Sequence, residues 1–223
     1  TLMAPKHYTR TYLIDNTGQV INTWESRYEP GQSAHLLPNG RLLRAAYMQV
    51  PGGGTGGGEG GRIEEYDWDG NLTWEFDHAT QAYSLHHDIK PLPNGNVIVI
   101  AYDRMLRDEA IAAGRRPDRL PEGELWPDHV IEVQKTGDTT GTIVWEWHVW
   151  DHLIQDYDST KANYGVVAQH PELIDVNFGD ARACWNHTNS INYNAALDQI
   201  VLSVRGNSEI WVIDHSTTTD EAR

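Results

Sequence analysis

The feature that most constrains the fold of this chain is a strand–turn–strand pattern that recurs roughly every 50 residues. In each copy, two short runs rich in β-branched and aromatic residues flank a turn of glycine, asparagine or aspartate, which is the pattern of a β-hairpin. One kind of hairpin is predicted at 12–24, 63–76 and 130–147, with the start of another at 210–213. A second kind is predicted at 33–47, 86–102 and 187–205. The two kinds alternate, so each repeat contributes about four strands.

A period near 50 residues with about four strands per unit is typical of a β-propeller. We therefore predict an all-β chain in which 1–223 form part of a single propeller domain, with about three to four blades. Loop insertions are predicted near 51–61, 104–128 and 150–183, and the second contains a short helix over 108–113. The glycine-rich first insertion is interpreted as a connector, because no helix and lysine follow it as they do in a phosphate-binding loop.

The charge of the chain limits its partners. The formal net charge is −15, which opposes binding to nucleic-acid phosphates and to anionic membrane surfaces. No apolar run approaches the roughly 20 residues that a membrane-spanning helix needs. We expect neither nucleic acid nor membrane as a partner, and any cationic side chain that binds an anion has to act locally.

The predicted hairpin 187–205 carries the most informative polar residues. If its turn is centred on Ala196, His187 lies directly across from Arg205, and facing side chains of an antiparallel pair share one small space. Asn189 is two residues from His187 and is predicted on the same face. An imidazole, an amide and a guanidinium together suit a compact oxyanion such as sulfate or phosphate. The same three residues could also form a solvated face or a hydrogen-bonded core cluster.

A second pair of histidines stands in the preceding hairpin. An ungapped count from the end of the strand matches His86 to His187, whereas the His-Asp pattern favours His87. Adjacent strand residues face opposite sides, so only one of them can point inward from a regular strand. We favour His87 and leave His86 open, and we expect the inward histidine to converge with His187.

Five further residues are weaker candidates. Cys184 is interpreted as a small buried residue rather than a nucleophile, because nothing beside it in the sequence lowers its pKa recognisably. His148 and His152 are read as surface residues, since a spacing of four places two ligands together only on a helix. His215 is predicted to be exposed in a polar tail. Asp88 either orients a histidine or caps a turn.

Three blocks of sequence resemble the bacterial arylsulfate sulfotransferase family. They are Cys184-Trp185-Asn186-His187-Thr188-Asn189-Ser190 with Arg205 behind it, the run from Leu85 to Asn96 that contains His-His-Asp, and Tyr12-Leu13-Ile14-Asp15 with Trp24-Glu25. The resemblance spans essentially the whole chain and corresponds to the N-terminal and central part of that propeller. It implies a six-bladed propeller that moves a sulfuryl group from an aryl sulfate to a phenol, with no nucleotide sulfate donor, no cofactor and no metal.

The resemblance also implies roles for the candidate residues. His187, Asn189 and Arg205 would hold the oxyanion and transfer protons, with His86 or His87 as their partner. The family's sulfate-accepting histidine stands on a later blade, and no repeat after Arg205 contains a candidate. We therefore expect the remaining blades on another chain, and no sulfuryl transfer by this chain alone.

The resemblance and the composition leave further expectations about context. We expect a periplasmic or secreted protein, and homo-oligomerisation is possible. Two alternatives stay open at the level of function. One is a related propeller with metal-assisted hydrolase chemistry, and the other is a non-enzymatic propeller that binds partners through its tryptophans and tyrosines.

Overall fold

The computed structural model describes residues 1–50, 58 and 60–223, and the chain is all-β. Strands account for 48% of the chain and helices for 7%, which confirms the predicted fold class. The strands are β1 (Leu2–Met3), β2 (Arg10–Ile14), β3 (Val20–Glu25), β4 (Pro30–Leu36), β5 (Leu42–Tyr47), β6 (Gly61–Tyr66), β7 (Leu72–Asp77), β8 (Tyr83–Pro91), β9 (Val97–Asp103), β10 (Met105–Leu106), β11 (Glu124–Leu125), β12 (Asp128–Gly137), β13 (Thr140–His148), β14 (Leu153–Ile154), β15 (Ile174–Asp175), β16 (Thr188–Asn194), β17 (Gln199–Val204) and β18 (Glu209–Asp214).

The larger sheets follow one another along the chain. Their strand orders are β1-β2-β3, then β4-β5-β6-β7, then β8-β9-β12-β13, and finally β16-β17-β18. Each four-stranded sheet joins a hairpin of the second kind to the next hairpin of the first kind. All six complete hairpins predicted from the repeat are formed, as β2/β3, β6/β7, β12/β13, β4/β5, β8/β9 and β16/β17.

Glycine at four equivalent turns explains why the repeat is visible in the sequence. Gly18, Gly40, Gly70 and Gly95 have φ of 85°, 81°, 87° and 90°, a left-handed conformation that side chains with a Cβ rarely adopt. In each turn the glycine N–H donates to the carbonyl three residues earlier. These positions close four of the six hairpins, whereas the β16/β17 turn contains no glycine and places Asp198 at φ 49° instead.

Consecutive sheets pack face to face, and β9 shows how. Val97, Val99 and Ala101 pack toward the second sheet, in a core that includes Ile63 and Trp74. The alternate residues Ile98 and Ile100 pack toward the fourth sheet, in a core that includes Ile191 and Leu202. Strand β9 is therefore apolar on both faces, as expected for a strand between two packed sheets. Face-to-face stacking of successive antiparallel sheets is also how propeller blades pack.

The insertions carry the few helical elements. Helix α1 spans Arg107–Ala112, close to the predicted 108–113. Short 3₁₀ turns occur at Pro117–Arg119, Val149–His152 and Val167–Gln169. The predicted connector 51–61 lies almost entirely outside the described residues. No helix in the described part of the chain combines the length and apolarity needed to cross a bilayer.

A buried arginine connects the two long insertions. Arg115 is 1% exposed, and its guanidinium donates to the carbonyls of Val176 at 2.5 Å and Asp180 at 2.7 Å. Strands β14 and β15 pair in parallel inside the second of these insertions. The segment 150–183 is therefore anchored to the insertion that carries Arg115, and its Leu153 and Val176 pack in the same core as Ile98 of β9 and Ile200 of β17.

Candidate functional site

The β16/β17 hairpin places His187 and Arg205 at the same end of one ladder. Thr188 pairs with Val204, and the two predicted site residues flank that pair. A register shift between Thr188 and Ser190 makes Asn189 the bulged residue, so strict alternation does not continue through it. The argument that put Asn189 on the face of His187 therefore fails, and the Asn189 side chain is exposed.

A second bulge positions the other two histidines. Leu85 pairs with Ala101 and Ile89 with Val99, so three residues of β8 face a single residue of β9. His87 lies inside this bulge with φ 51°, and His187 has φ 49°. Left-handed backbone is uncommon for residues other than glycine, asparagine and aspartate, and often marks a functional site. Both imidazoles are therefore directed by irregular backbone rather than by regular strand.

The rings of His87 and His187 are in contact. Their centroids are 4.7 Å apart and their planes lie at 65°. His87 and His187 therefore converge as expected, but counting along the two strands does not explain it. The two residues do not occupy matching ladder positions, because His87 is in a bulge and His187 precedes the first pair of β16.

His86 lies behind His87, so the bulge brings both candidates into the cluster. Nδ1 of His86 is 2.8 Å from Nδ1 of His87, and one of these two nitrogens donates to the other. The His86 ring is 3% exposed and stacks on Tyr102 with centroids 4.9 Å apart. His87 touches His187 directly, whereas His86 contacts His87 from the interior side.

A buried carboxylate that the sequence reasoning missed completes the cluster. Asp128, at the start of β12, is 2% exposed, and its Oδ1 lies 3.3 Å from Nε2 of His86. Its Oδ2 accepts a hydrogen bond from the Thr188 N–H at 2.7 Å, and its own N–H donates to Asn186. Asp128 therefore fixes the His187 segment by a hydrogen bond and lies close to His86, although neither its Oδ1 nor Nε2 of His86 makes a hydrogen bond of acceptable geometry. In the sequence, Asp128 could have been noticed as an acidic residue at the start of an apolar strand.

The glycine-rich insertion reaches this cluster at one described residue. A Cβ built on Gly58 would lie 2.2 Å from Nδ1 of His87 and 2.9 Å from Cβ of His86. No side chain fits in that space, so glycine at this position allows the backbone to cover the histidine pair.

Burial and neighbouring positive charge keep the imidazoles of His87 and His187 neutral at pH 7. Burial, followed by the charges of His86 and His187, lowers the pKa of His87 to about 3. Burial and then the Arg205 charge lower the pKa of His187. The Arg205 charge lowers the pKa of both rings, and Arg205 itself is exposed. The cluster therefore offers the neutral imidazoles of His87 and His187 within the electrostatic reach of an exposed cation, a set that can accept a compact anion.

Cys184 behaves as predicted for an inert residue. Burial raises the pKa of its thiol to about 12, so the thiolate is not populated near neutral pH. Its Sγ lies 3.1 Å from Nδ1 of His187. The thiol therefore helps to orient the imidazole and leaves Nε2 to face the site.

Two of the weaker predictions need correction. His215 is not exposed: its side chain is 10% accessible and contacts Glu132 at 2.8 Å and Asp198 at 2.7 Å. Asp88 neither orients a histidine nor caps a turn; it accepts a hydrogen bond from the Ile191 N–H at 3.0 Å. Both residues instead connect neighbouring sheets, which strand patterns in the sequence do not report.

The two histidines read as surface residues are also not free surface groups. His148 is half-buried, with Nδ1 2.9 Å from a carboxylate oxygen of Asp103. His152 is half-buried on a 3₁₀ turn, with Nε2 2.9 Å from the Ala222 carbonyl oxygen. Segments distant in sequence cover both side chains, which local spacing could not show.

Fold and site together define an all-β protein with a histidine-rich cluster where two hairpins meet. The chain belongs to the arylsulfotransferase (ASST) family, whose model matches residues 2–220. The family resemblance seen in the sequence is thereby confirmed. At the level of the family, the activity is aryl sulfotransfer and the substrates are aryl sulfates and phenols. No curated protein matched the chain significantly.

Proposed function

We propose that the chain binds the sulfuryl group of an aryl sulfate among His87, His187 and Arg205 and passes it to a phenolic acceptor. The observation that carries the proposal is the contact between the His87 and His187 rings, at the end of the hairpin where Arg205 follows the Thr188–Val204 pair. Sulfuryl transfer spreads charge over three peripheral oxygens, as phosphoryl transfer does, so fixed donors around them stabilise the transition state. Asn189, which is exposed, is left to contact substrate rather than the cluster.

The residues divide into anion-binding, leaving-group-stabilising and positioning roles. The Arg205 guanidinium supplies a planar fork of donors for two sulfuryl oxygens. As the S–O bond breaks and the S–N bond to the histidine of the later blade forms, a neutral His187 donates a hydrogen bond from Nε2 that stabilises the departing phenolate, which takes its proton from water. His87 donates a hydrogen bond to the third sulfuryl oxygen, while His86 and Asp128 hold His87 in place. Phenol exchange completes the reaction by the same steps in reverse.

The transient acceptor of the sulfuryl group belongs to a further blade in this proposal. The histidine that forms the S–N bond in the resembled family is expected on a later repeat, supplied together with the remaining propeller. The outer edge of β18 offers a place for further strands, because β18 ends the sheet β16-β17-β18 and pairs only with β17 among the described strands. We propose that the protein works in the periplasm or outside the cell, as the resemblance implies.

The test is the turnover of 4-nitrophenyl sulfate with a phenol acceptor by the whole protein that contains this chain. His187→Ala and Arg205→Ala should each lower kcat by about 100-fold or more, the scale of losing one preorganised donor. His170→Ala, which removes an exposed histidine paired with Glu172, serves as the matched control. Wild-type rates in both site variants refute the proposed roles.

The same assay separates the alternatives. Release of 4-nitrophenol that does not depend on a phenol acceptor indicates hydrolysis. No release with any acceptor, by protein that is folded and includes all blades, indicates a binding propeller. Only acceptor-dependent release with formation of the new aryl sulfate supports sulfuryl transfer.

A further inference from the structure

A second histidine cluster lies on the other side of β12 from the candidate site. Asp128 and His129 are neighbours on this strand, so their side chains point to opposite faces. His129 pairs in register with Ala101 of β9 and with His148 of β13. The ends of three adjacent strands thereby bring together Asp103, His129 and His148, and nothing in the proposed sulfuryl transfer uses them.

The donor atoms of these three residues converge on one point. Oδ2 of Asp103 lies 2.9 Å from Nδ1 of His148 and 3.2 Å from Nδ1 of His129. One donor atom from each residue lies within 4.8 Å of the other two. The two rings are stacked with centroids 4.6 Å apart, so both present the same nitrogen to the same side. Tetrahedral zinc with bonds of about 2.0–2.1 Å separates its ligand atoms by about 3.3 Å.

One of these nitrogens lacks a hydrogen bond although it is buried. His129 is 2% exposed, and its Nδ1 makes no hydrogen bond of acceptable geometry, despite its closeness to Asp103. An unsatisfied buried polar atom is costly and calls for an explanation. An ion between the imidazole and the carboxylate removes the cost, because it bonds to both lone pairs.

The surroundings supply the second layer of a metal site. Nε2 of His148 lies 3.4 Å from a carboxylate oxygen of Glu146, which leaves the Nδ1 lone pair for an ion. A carboxylate behind a ligating histidine fixes its tautomer in many metal sites. His78, whose Nε2 is also buried without a partner, lies with its ring 6.0 Å from that of His129. It lies outside the group of three whose donor atoms converge.

We propose that Asp103, His129 and His148 bind one divalent transition-metal ion. Two imidazoles and one carboxylate form the donor set of ions such as zinc or ferrous iron, whereas magnesium and calcium prefer oxygen ligands alone. Asp103 and His148 are 22% and 24% exposed, so an ion can enter from solvent. The fourth position is filled by water. The site stabilises the strand end that carries Asp128.

The experiment is a zinc titration of the purified, chelator-treated protein, with elemental analysis after dialysis and with magnesium as a negative control. We expect one zinc ion per chain and a rise in Tm on binding. His148→Gln and Asp103→Asn should each weaken zinc binding by about 100-fold or more and abolish the Tm rise. Glu146→Gln should weaken it by about 10-fold, because it changes only the orientation of His148.

Two control variants locate the ion. His152→Gln changes a half-buried histidine that contacts the Ala222 carbonyl instead, and it should bind zinc as the wild type does. His187→Gln should also keep the full stoichiometry. If His187→Gln loses the ion and His148→Gln keeps it, zinc sits among the sulfuryl-site histidines and the proposal is wrong. Uptake below one ion per chain, or only weak uptake at several places, likewise overturns it.

Discussion

At the scale of single residues, the candidate site depends on two histidines in left-handed backbone. His87 at φ 51° and His187 at φ 49° hold a conformation that costs of order 1–3 kcal/mol each unless the surroundings enforce it. Asp128 provides that enforcement, because one of its oxygens accepts from the Thr188 N–H and the other lies beside His86. The strain is thus balanced by a buried carboxylate that touches both segments.

Asp128→Asn tests this positioning role. The variant keeps the size of the side chain but loses the charge, so we expect kcat for aryl-sulfate turnover to fall by about 100-fold, within the range of a misplaced acid–base group. The Asp128 charge raises the pKa of His87 and of His187, so its loss lowers both further. The acid limb of the kcat/KM profile should therefore move to lower pH. Asp118→Asn, at an exposed ion pair with Arg116, is the control.

If the rate falls, the pH profile is unchanged and the unfolding midpoint is lowered, the carboxylate only supports the fold. If the rate falls while both the pH profile and the unfolding midpoint are unchanged, the role assigned to His86 is wrong.

At the scale of secondary-structure elements, the innermost strands of neighbouring sheets are joined by bonds from side chain to backbone. His35 of β4 contacts the Ile89 carbonyl of β8 through Nε2 at 2.8 Å. Asp88 of β8 accepts from the Ile191 N–H of β16 at 3.0 Å. Because sheet stacking by apolar side chains alone leaves lateral position loosely defined, these bonds set how the sheets align.

Asp88→Ala should therefore destabilise the packing of β8 against β16. It leaves the partly buried Ile191 N–H without an acceptor, which costs about 1–3 kcal/mol in the free energy of unfolding. Urea unfolding followed by tryptophan fluorescence measures the loss. Asp69→Ala, in an exposed turn between β6 and β7, should change the free energy by no more than about 0.5 kcal/mol. Equal effects of the two substitutions would rule out the bridging role.

At the scale of the whole molecule, a buried ion pair connects the segment after β18 to the third sheet. His215 contacts Glu132 of β12 at 2.8 Å and Asp198 at 2.7 Å, and its ring packs on Trp145. The hydrogen bond to Glu132, followed by that to Asp198, raises the pKa of His215. Although burial opposes it, hydrogen bonding to His215 lowers the pKa of Glu132. This pair makes the stability of the protein depend on pH.

The direction in which the stability changes with pH follows from the pKa shifts of His215 and Glu132. The raised His215 pKa adds stability that is complete below its unfolded pKa of about 6.5 and is lost as pH rises through the folded value. The lowered Glu132 pKa adds stability that is present above its unfolded pKa of about 4.3 and is lost as pH falls through the folded value. Stabilisation by the pair is therefore greatest between about pH 5 and 6.5.

His215→Gln removes the charged partner and should lower the free energy of unfolding by about 1.5–3 kcal/mol in that window. The difference from wild type should shrink as the pH is raised above the folded pKa of His215. Urea unfolding at a series of pH values measures it, with His170→Gln as the exposed control. A difference that stays constant from pH 5.5 to high pH would show that the histidine contributes packing rather than charge.

The sequence by itself determined the all-β fold class, the hairpins and the family. Turns such as those at Gly40 and Gly95 need left-handed backbone, so glycine marks them in the first two repeats, whereas the β16/β17 turn uses Asp198. His187 and Arg205 could be assigned to one hairpin, but its turn is centred between Ala196 and Leu197 rather than on Ala196, and the bulge at Asn189 is what brings Thr188 opposite Val204.

Only the tertiary structure decided what lies across sheets. The bulges at His87 and Asn189 insert residues that have no partner on the neighbouring strand. Counting along the strand therefore does not predict which face the next side chain lies on. The partners of Asp128, His215 and Asp103 lie on strands distant in sequence, so no local sequence pattern predicts these contacts. Local periodicity reports which face of a strand is buried, whereas the partner of a buried polar group depends on how sheets stack. That stacking is the part of this protein that the sequence left undetermined.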